Sequence, residues 1–341
     1  MAKAQTVGSM GEDAAIAAIA RAIGVQAMPE GWVGIGDDAA VTSIPAGLKA
    51  VTTTDLLVEG VHFRRSTISP WDLGWKAMAV NVSDVAGMGA APRWATVSLA
   101  LAPDVPLAWL EAFYQGAQAL AGRYGLFIVG GDTVRSANGV TIAVTVIGEA
   151  PKPLLRTDAQ AGDAVIVTGP VGASAAGLWV LEHPAEAERL DPQVRETLSA
   201  AHRRPIPQVE AGCALSALGA RLALMDNSDG LARSVLWLAG ANDLHLELDA
   251  EAIPMTNETR EAARLAGVDP LDWALYGGED YNLVLTCPDA HVPAALAAIA
   301  ASQATGTVVG RCRQGEAGAS LKDATGRAVR LEASRTFQHF G

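Results

Sequence analysis

Six short acidic islands punctuate the chain, each beside glycine, threonine or serine. They are Gly36-Asp37-Asp38, Thr52-Thr53-Thr54-Asp55, Asn81-Val82-Ser83-Asp84, Gly130-Gly131-Asp132-Thr133, Asp226-Asn227-Ser228-Asp229-Gly230 and Gly277-Gly278-Glu279-Asp280. Carboxylates brought together repel unless cations sit between them. Carboxylate and hydroxyl oxygens are the ligands of hard divalent ions such as Mg2+, which often carry phosphate chemistry. Thr53 and Thr54 add hydroxyls beside Asp55, and a helix would bring Lys76, Asn81 and Asp84 roughly onto one face. A single Asp at the end of a strand is usually a turn or cap residue. Six such islands in one chain favour a shared metal cluster, with Asp37 and Asp280 as structural neighbours of the ligands.

Other chemistries are less legible. Ser228 or Asp229 reads as the N-cap of a helix from Leu231, and such a helix start also attracts phosphate. Gly169–Gly177 lacks the Gly-Lys-Ser/Thr ending of a phosphate-binding P-loop. His62, between Val61 and Phe63, is the histidine best placed to meet a substrate, with a half-buried structural role as the alternative. No Ser-His-Asp or Cys-His set is visible. Cys213, Cys287 and Cys312 are far apart and suggest buried thiols rather than a zinc site or disulfides.

Positioning these groups falls to an alternation of strands and helices. Helices are expected at 12–24, 70–88, 105–124, 173–182, 231–240 and 291–301. Strands are expected at 49–54, 94–101, 126–129, 140–147, 164–168, 222–226, 244–248 and 281–286. Asn138-Gly139 signals a turn between two of them, with Gly130–Gly139 as the intervening loop. Pro151-Lys152-Pro153 marks a linker, giving domains 1–150 and 151–341.

Of 341 residues, 50% are apolar and 18% charged, which fits a folded protein of two domains. Net charge −12, from 25 basic and 37 acidic residues, argues against a nucleic-acid binder, which needs a basic face. No run approaches the ~20 apolar residues of a membrane span, and the N-terminus lacks a secretion signal. A soluble cytoplasmic protein, with no nucleic acid or membrane partner, is the expectation.

Taken in order, the motifs resemble those of the thiamine-monophosphate kinase family, within the aminoimidazole ribonucleotide synthetase-like superfamily of ATP enzymes. The matching stretches are Gly34–Ala40, Thr53–His62, Lys76–Asp84, Gly87–Pro92, Gly130–Thr133, Arg156 before Gly162-Asp163, Asp226–Leu231 and Gly277–Tyr281. Each is weak alone; their order over nearly the whole chain is specific. The resemblance implies transfer of the γ-phosphoryl of ATP to thiamine phosphate. It implies several Mg2+ ions on Asp38, Thr53, Thr54, Asp55, Asp84, Asp132, Asp226 and Asp229. ATP would contact Tyr114, Gly131, Asp132, Arg156 and Ser228, and thiamine phosphate His62, Glu279 and Phe337. Asn227 stands where the family usually has an aliphatic residue. The implied fold is α/β and α+β: an N-terminal mixed-sheet dimerisation domain binding ATP and Mg2+, plus a C-terminal α+β domain, in a homodimer. A phosphate acceptor is already largely ionised, its second pKa being near ~6, so no residue need act as general base. Selenophosphate synthetases, ligases and hydrogenase-maturation proteins of the superfamily use a terminal cysteine or lysine or another acceptor site, and neither terminus here holds a cysteine. A non-catalytic metal-binding module is the alternative outside enzymes.

Overall fold

Val140, Ile142, Val144 and Val146 are buried while Thr141, Ala143, Thr145 and Ile147 between them are half-buried, and this alternation organises the first half of the chain. A computed structural model describes residues 5–36 and 38–338. The chain divides into two units. One comprises residues up to Val85 with Ala91–Pro151; the other comprises Ala86–Ala90 and residues from Lys152 on.

In the first unit, β1 (Lys49–Val58), β2 (Ala91–Leu101), β3 (Phe127–Arg135) and β4 (Val140–Ala150) form one sheet in the order β1-β4-β2-β3. Strand β4 is antiparallel to both β1 and β2, and β3 runs parallel to β2. Helices α1 (Glu12–Ile23), α2 (Pro70–Gly87) and α3 (Leu107–Arg123) supply the apolar layer, with Leu73, Met78, Leu110, Phe113 and Leu120 buried. Full burial of each such side chain contributes about 1.5–3 kcal/mol. Helices α2 and α3 cross at two glycines. A Cβ on Gly74 would lie 1.8 Å from the Phe113 carbonyl oxygen, and one on Gly116 1.8 Å from that of Trp71.

Two expectations change here. Gly130–Arg135 continues β3 rather than forming a loop, and Asn138-Gly139 does not close a hairpin. Strand β3 lies beside β2, and β2 separates it from β4. The reason is the parallel β2–β3 pair, joined by a crossover through α3.

In the second unit, seven strands form a sheet in the order β11-β10-β7-β9-β5-β8-β6. They are β5 (Ala164–Thr168), β6 (Ala223–Asp226), β7 (His245–Asp249), β8 (Leu283–Cys287), β9 (Gly306–Arg313), β10 (Gly318–Lys322) and β11 (Ala328–Arg330). Every residue of β5 and β8 is buried, the apolar run of a strand covered on both faces. The helices are α4 (Ala173–Glu182), α5 (Pro192–Arg203), α6 (Val209–Ala217), α7 (Leu231–Asn242), α8 (Asn257–Ala266), α9 (Pro270–Tyr276) and α10 (Val292–Ala301). The charged segment after 182, expected as a loop, contains α5. Asp191 caps it and Pro192 starts it, but only Leu198, Ser199 and His202 are buried, too narrow a stripe to stand out in sequence. Among the described residues no helix is long and apolar enough to cross a membrane.

Candidate active site

In the first unit the site grows from the pleat of β1. Thr53 and Asp55 share one face of the strand because they are two residues apart. Thr53 Oγ1 donates to Asp84 Oδ2 on α2 at 2.5 Å. Three residues before Asp84, Asn81 is 1% exposed; its Nδ2 donates to the Ala77 carbonyl at 3.1 Å, while its Oδ1 is buried with no hydrogen-bond partner. Carboxylate, hydroxyl and an orphaned amide oxygen make an oxygen-only donor set, the chemistry that suits Mg2+. Just past β1, the Val58 N–H donates to His62 Nδ1 at 3.0 Å, so the proton of the neutral ring sits on Nε2.

The pleat separates other expected ligands. Thr54, expected beside Asp55, turns its hydroxyl to the opposite face, where it donates to the Val144 carbonyl at 3.1 Å and accepts from Thr145. Asp55 pairs with Val144, Val144 with Val97, and Val97 with Gly131, which places Asp132 on the far edge strand. Three strand spacings are roughly 14 Å, whereas two ligands of one Mg2+ lie within about 4 Å of each other. Asp55 and Asp132 of one chain therefore cannot hold the same ion. Among the described residues no three His, Cys, Asp or Glu side chains gather into a metal-binding group. Asp38 is exposed, and Asp37 lies outside the described residues.

At Gly131 a Cβ would meet the Val97 carbonyl oxygen at 1.8 Å, so only glycine fits. Tyr114, expected to touch ATP, is 3% exposed on the inner side of α3 and packs edge-on against Phe113. Burial raises its pKa far above that of an ordinary tyrosine. It is a core residue, as its place in the apolar stripe of α3 requires.

In the second unit two loops interlock by backbone. The Asn227 N–H donates to the Asn282 carbonyl at 2.8 Å, the Tyr281 N–H to Asn227 at 3.0 Å and the Glu279 N–H to Ser228 at 2.6 Å. Buried Asn227 is tied by its side chain to Asn282 and Ser234, which explains a polar residue at this position. Gly230, not Ser228 or Asp229, is the N-cap of α7, and no side chain caps that helix. Ser228 and Asp229 are thus not used as caps. Asp226 is buried at the end of β6, and a Cβ on Gly87 would lie 2.7 Å from its backbone nitrogen. Glu279 and Tyr281 adopt φ of 59° and 52°, left-handed values that non-glycine residues rarely take. Such strain persists where surrounding bonds hold it, commonly at functional loops.

Glu279 Oε2 lies 3.4 Å from His202 Nδ1, which also meets Ser174 Oγ at 3.1 Å. Serine and carboxylate reach the same ring nitrogen, so this is no nucleophile relay. Asp280 accepts from the Gly172 and Ser174 N–H groups at the start of α4, at 2.7 and 3.1 Å. Burial nevertheless pushes its carboxyl up to about 7. Arg156 is exposed in the segment before β5, and Phe337 is 49% exposed in the tail beyond Ala333–Arg335. That tail is pinned by Arg335, whose guanidinium sits 4.1 Å over the Tyr276 ring and bonds Asp272 at 2.6 Å.

Models of the AIR synthase related protein match the chain twice, the N-terminal domain at residues 36–150 and the C-terminal domain at 160–321. The thiamine-monophosphate kinase of Synechococcus elongatus is 36% identical over 89% of this chain and 91% of its own length. That of Bacillus subtilis is 39% identical over 74% of this chain and 77% of its own. The chain belongs to the thiamine-monophosphate kinase family. The crystal structure of the thiamine-monophosphate kinase from Stenotrophomonas maltophilia aligns with a TM-score of 0.78 at 33% identity, covering 93% of this chain and 97% of that one. A structure of AaThiL complexed with AMPPCP and TMP aligns with a TM-score of 0.72 at 34% identity, covering 87% and 92%. Hydrogenase maturation protein HypE in complex with ATP shares the fold alone, at 20% identity and a TM-score of 0.75. Ser174, His202, Arg233 and Trp237 lie outside the acidic islands, and no local spacing in the sequence links them to those islands.

Proposed function

We propose that the protein transfers the γ-phosphoryl group of ATP to thiamine phosphate, giving thiamine diphosphate, as a soluble cytoplasmic enzyme. The observation that carries this reading is the oxygen-only donor set of Thr53, Asp55, Asn81 and Asp84, in a chain of this family whose described residues form no acid–base relay. Thr53, Asp55 and Asp84 in the first unit and Asp226 and Asp229 in the second would hold Mg2+, with Asp38 and Asp132 as further ligands. When bound, Mg2+ would neutralise the charge of the phosphates brought together.

The chain's own groups position and orient. His62, its tautomer set by the Val58 N–H, would present Nε2–H to the acceptor. Glu279, held by backbone strain and by His202, would place a carboxylate by the cationic thiazolium, and Phe337 a ring face. Arg156 would pair with ATP oxygens, and Ser228 and Gly131 would line its path. Because the acceptor oxygen is already ionised, no side chain has to remove a proton.

A homodimer is part of the proposal. Strands β1 and β3 are both open sheet edges, and Asp55 and Asp132 sit on opposite ones. Two-fold pairing of one copy's β1 edge with the other's β3 edge would close both and bring the two carboxylates together from different chains. Thiamine phosphate-dependent ADP release in the presence of Mg2+ tests the activity; its absence in folded protein would sink the reading. Sedimentation as a monomer would remove the dimer.

A further inference from the structure

One indole gathers two guanidinium groups. Arg156 Cζ lies 5.1 Å and Arg233 Cζ 5.5 Å from the Trp237 ring centroid. Arg233 and Trp237 are four residues apart and share a face of α7. Arg156 comes from a different segment and is clipped to the same helix by Asn242. Its Nδ2 donates to the Arg156 carbonyl at 2.7 Å, and its Oδ1 accepts from the Ala159 N–H at 3.0 Å. The three side chains line a groove of about 460 Å³ with Leu236, Gly240 and Ala241, and Trp237 is 47% exposed.

The charge balance of this groove is unusual for the chain. Net charge is −12, and arginines elsewhere, such as Arg21, Arg65, Arg221 and Arg335, pair with carboxylates. Among the described residues neither Arg156 nor Arg233 has a carboxylate at ion-pair distance. Arg233 Nε is buried with no hydrogen-bond partner. Cation–π contact with the indole offsets part of the repulsion between the two cations. It supplies neither guanidinium with a counter-charge, and Arg233 Nε stays without an acceptor. An anion with several oxygens satisfies both, since guanidinium matches phosphate in bidentate geometry.

Arg156 is the arginine expected to pair with ATP oxygens; we propose that Arg233 is a second arginine binding the same polyphosphate chain of a nucleoside triphosphate, with Trp237 as the residue that positions both. That the nucleotide is the ATP co-substrate rests on the kinase reading; the polyanion site does not. Arg233 Nη1 also reaches Thr336 Oγ1 at 3.4 Å, so a role in merely holding the C-terminal tail must be separated.

The test is calorimetric binding of tripolyphosphate and of a non-hydrolysable ATP analogue to the full chain, with steady-state kinetics alongside. Arg233→Ala is expected to weaken both ligands by about tenfold or more, the usual worth of a charge-assisted hydrogen bond. It should raise KM for ATP while leaving KM for thiamine phosphate unchanged. Trp237→Leu should weaken both ligands less, and Arg233→Lys should retain part of the affinity. Thr336→Val, which removes the tail contact alone, should bind both ligands like wild type. Wild-type affinity in folded Arg233→Ala, or a loss confined to thiamine phosphate, would overturn the proposal. If Arg233→Ala abolishes tripolyphosphate binding in a protein with no thiamine phosphate-dependent turnover, the site stands and the kinase reading falls. If turnover is present and tripolyphosphate affinity is unaltered, this proposal alone falls.

Discussion

The Thr53 hydroxyl on β1 donates to the Asp84 carboxylate on α2 at 2.5 Å, while the next hydroxyl, Thr54, bonds the Val144 carbonyl on the other face of the strand. Two adjacent threonines of one motif therefore do different work. Thr53→Val should cost about 1.5–3 kcal/mol, the scale of a hydrogen bond to a charged group. It should also raise the Mg2+ concentration needed for half-maximal activity. Thr54→Val should shift that Mg2+ requirement far less. Equal shifts for the two variants, measured by Mg2+ titration of turnover, would remove the distinction.

Asp280 gives stability a pH dependence of definite sign. Its carboxyl is pushed up to about 7 by burial, against the opposing pull of the Gly172 and Ser174 N–H groups. In the unfolded chain it titrates near about 4, so the folded state holds the proton more tightly across that window. Its contribution is fully present below about pH 4 and is lost as pH rises through about 7. Asp280→Asn removes this titration. Denaturation profiles should show wild-type stability falling relative to the variant over that range; a constant difference would count against the assignment.

Gly74 and Gly116 let α2 and α3 approach until a methyl group no longer fits. Gly74→Ala should destabilise the protein by about 1–3 kcal/mol or more, because its Cβ would meet the Phe113 backbone rather than a movable side chain. Gly122→Ala, on the same helix as Gly116 but with open space around it, should be neutral or slightly stabilising. Thermal melts of the two variants decide it.

Asp55 and Asp132 occupy opposite edges of one sheet, so a dimeric enzyme would build each site from both copies. Asp55→Asn and Asp132→Asn should each be inactive alone. Mixed and allowed to exchange, half the dimers are mixed and each regains one intact site, giving about a quarter of wild-type activity. Recovery of none, with exchange verified by mass, would place both residues in separate sites of one chain.

The strands with clean alternation, β2 and β4, and the amphipathic stripe of α3 were readable because a half-buried surface imposes its own period. Helices α5, α6, α8 and α9 were not, since their apolar stripes are narrow or mixed with charge. Strands β9 to β11 were missed because exposed positions dilute their alternation. The acidic islands were found as motifs, and Asp84 lies on a helix as expected. Asp55 and Asp132, by contrast, lie within β1 and β3, past the strand ends expected at 54 and 129.

Residue order alone fixed the chemistry available here: carboxylates beside small residues, no nucleophile relay, and motifs in the sequence of one kinase family. What only the tertiary structure decided is which of those groups can meet. Strand pairing put Asp55 and Asp132 on opposite edges, and the pleat turned Thr54 away from Thr53. Chain segments distant in sequence joined Arg156 to Trp237 and Glu279 to His202. Strand order and helix docking depend on contacts between residues far apart along the chain, and local spacing carries no record of them.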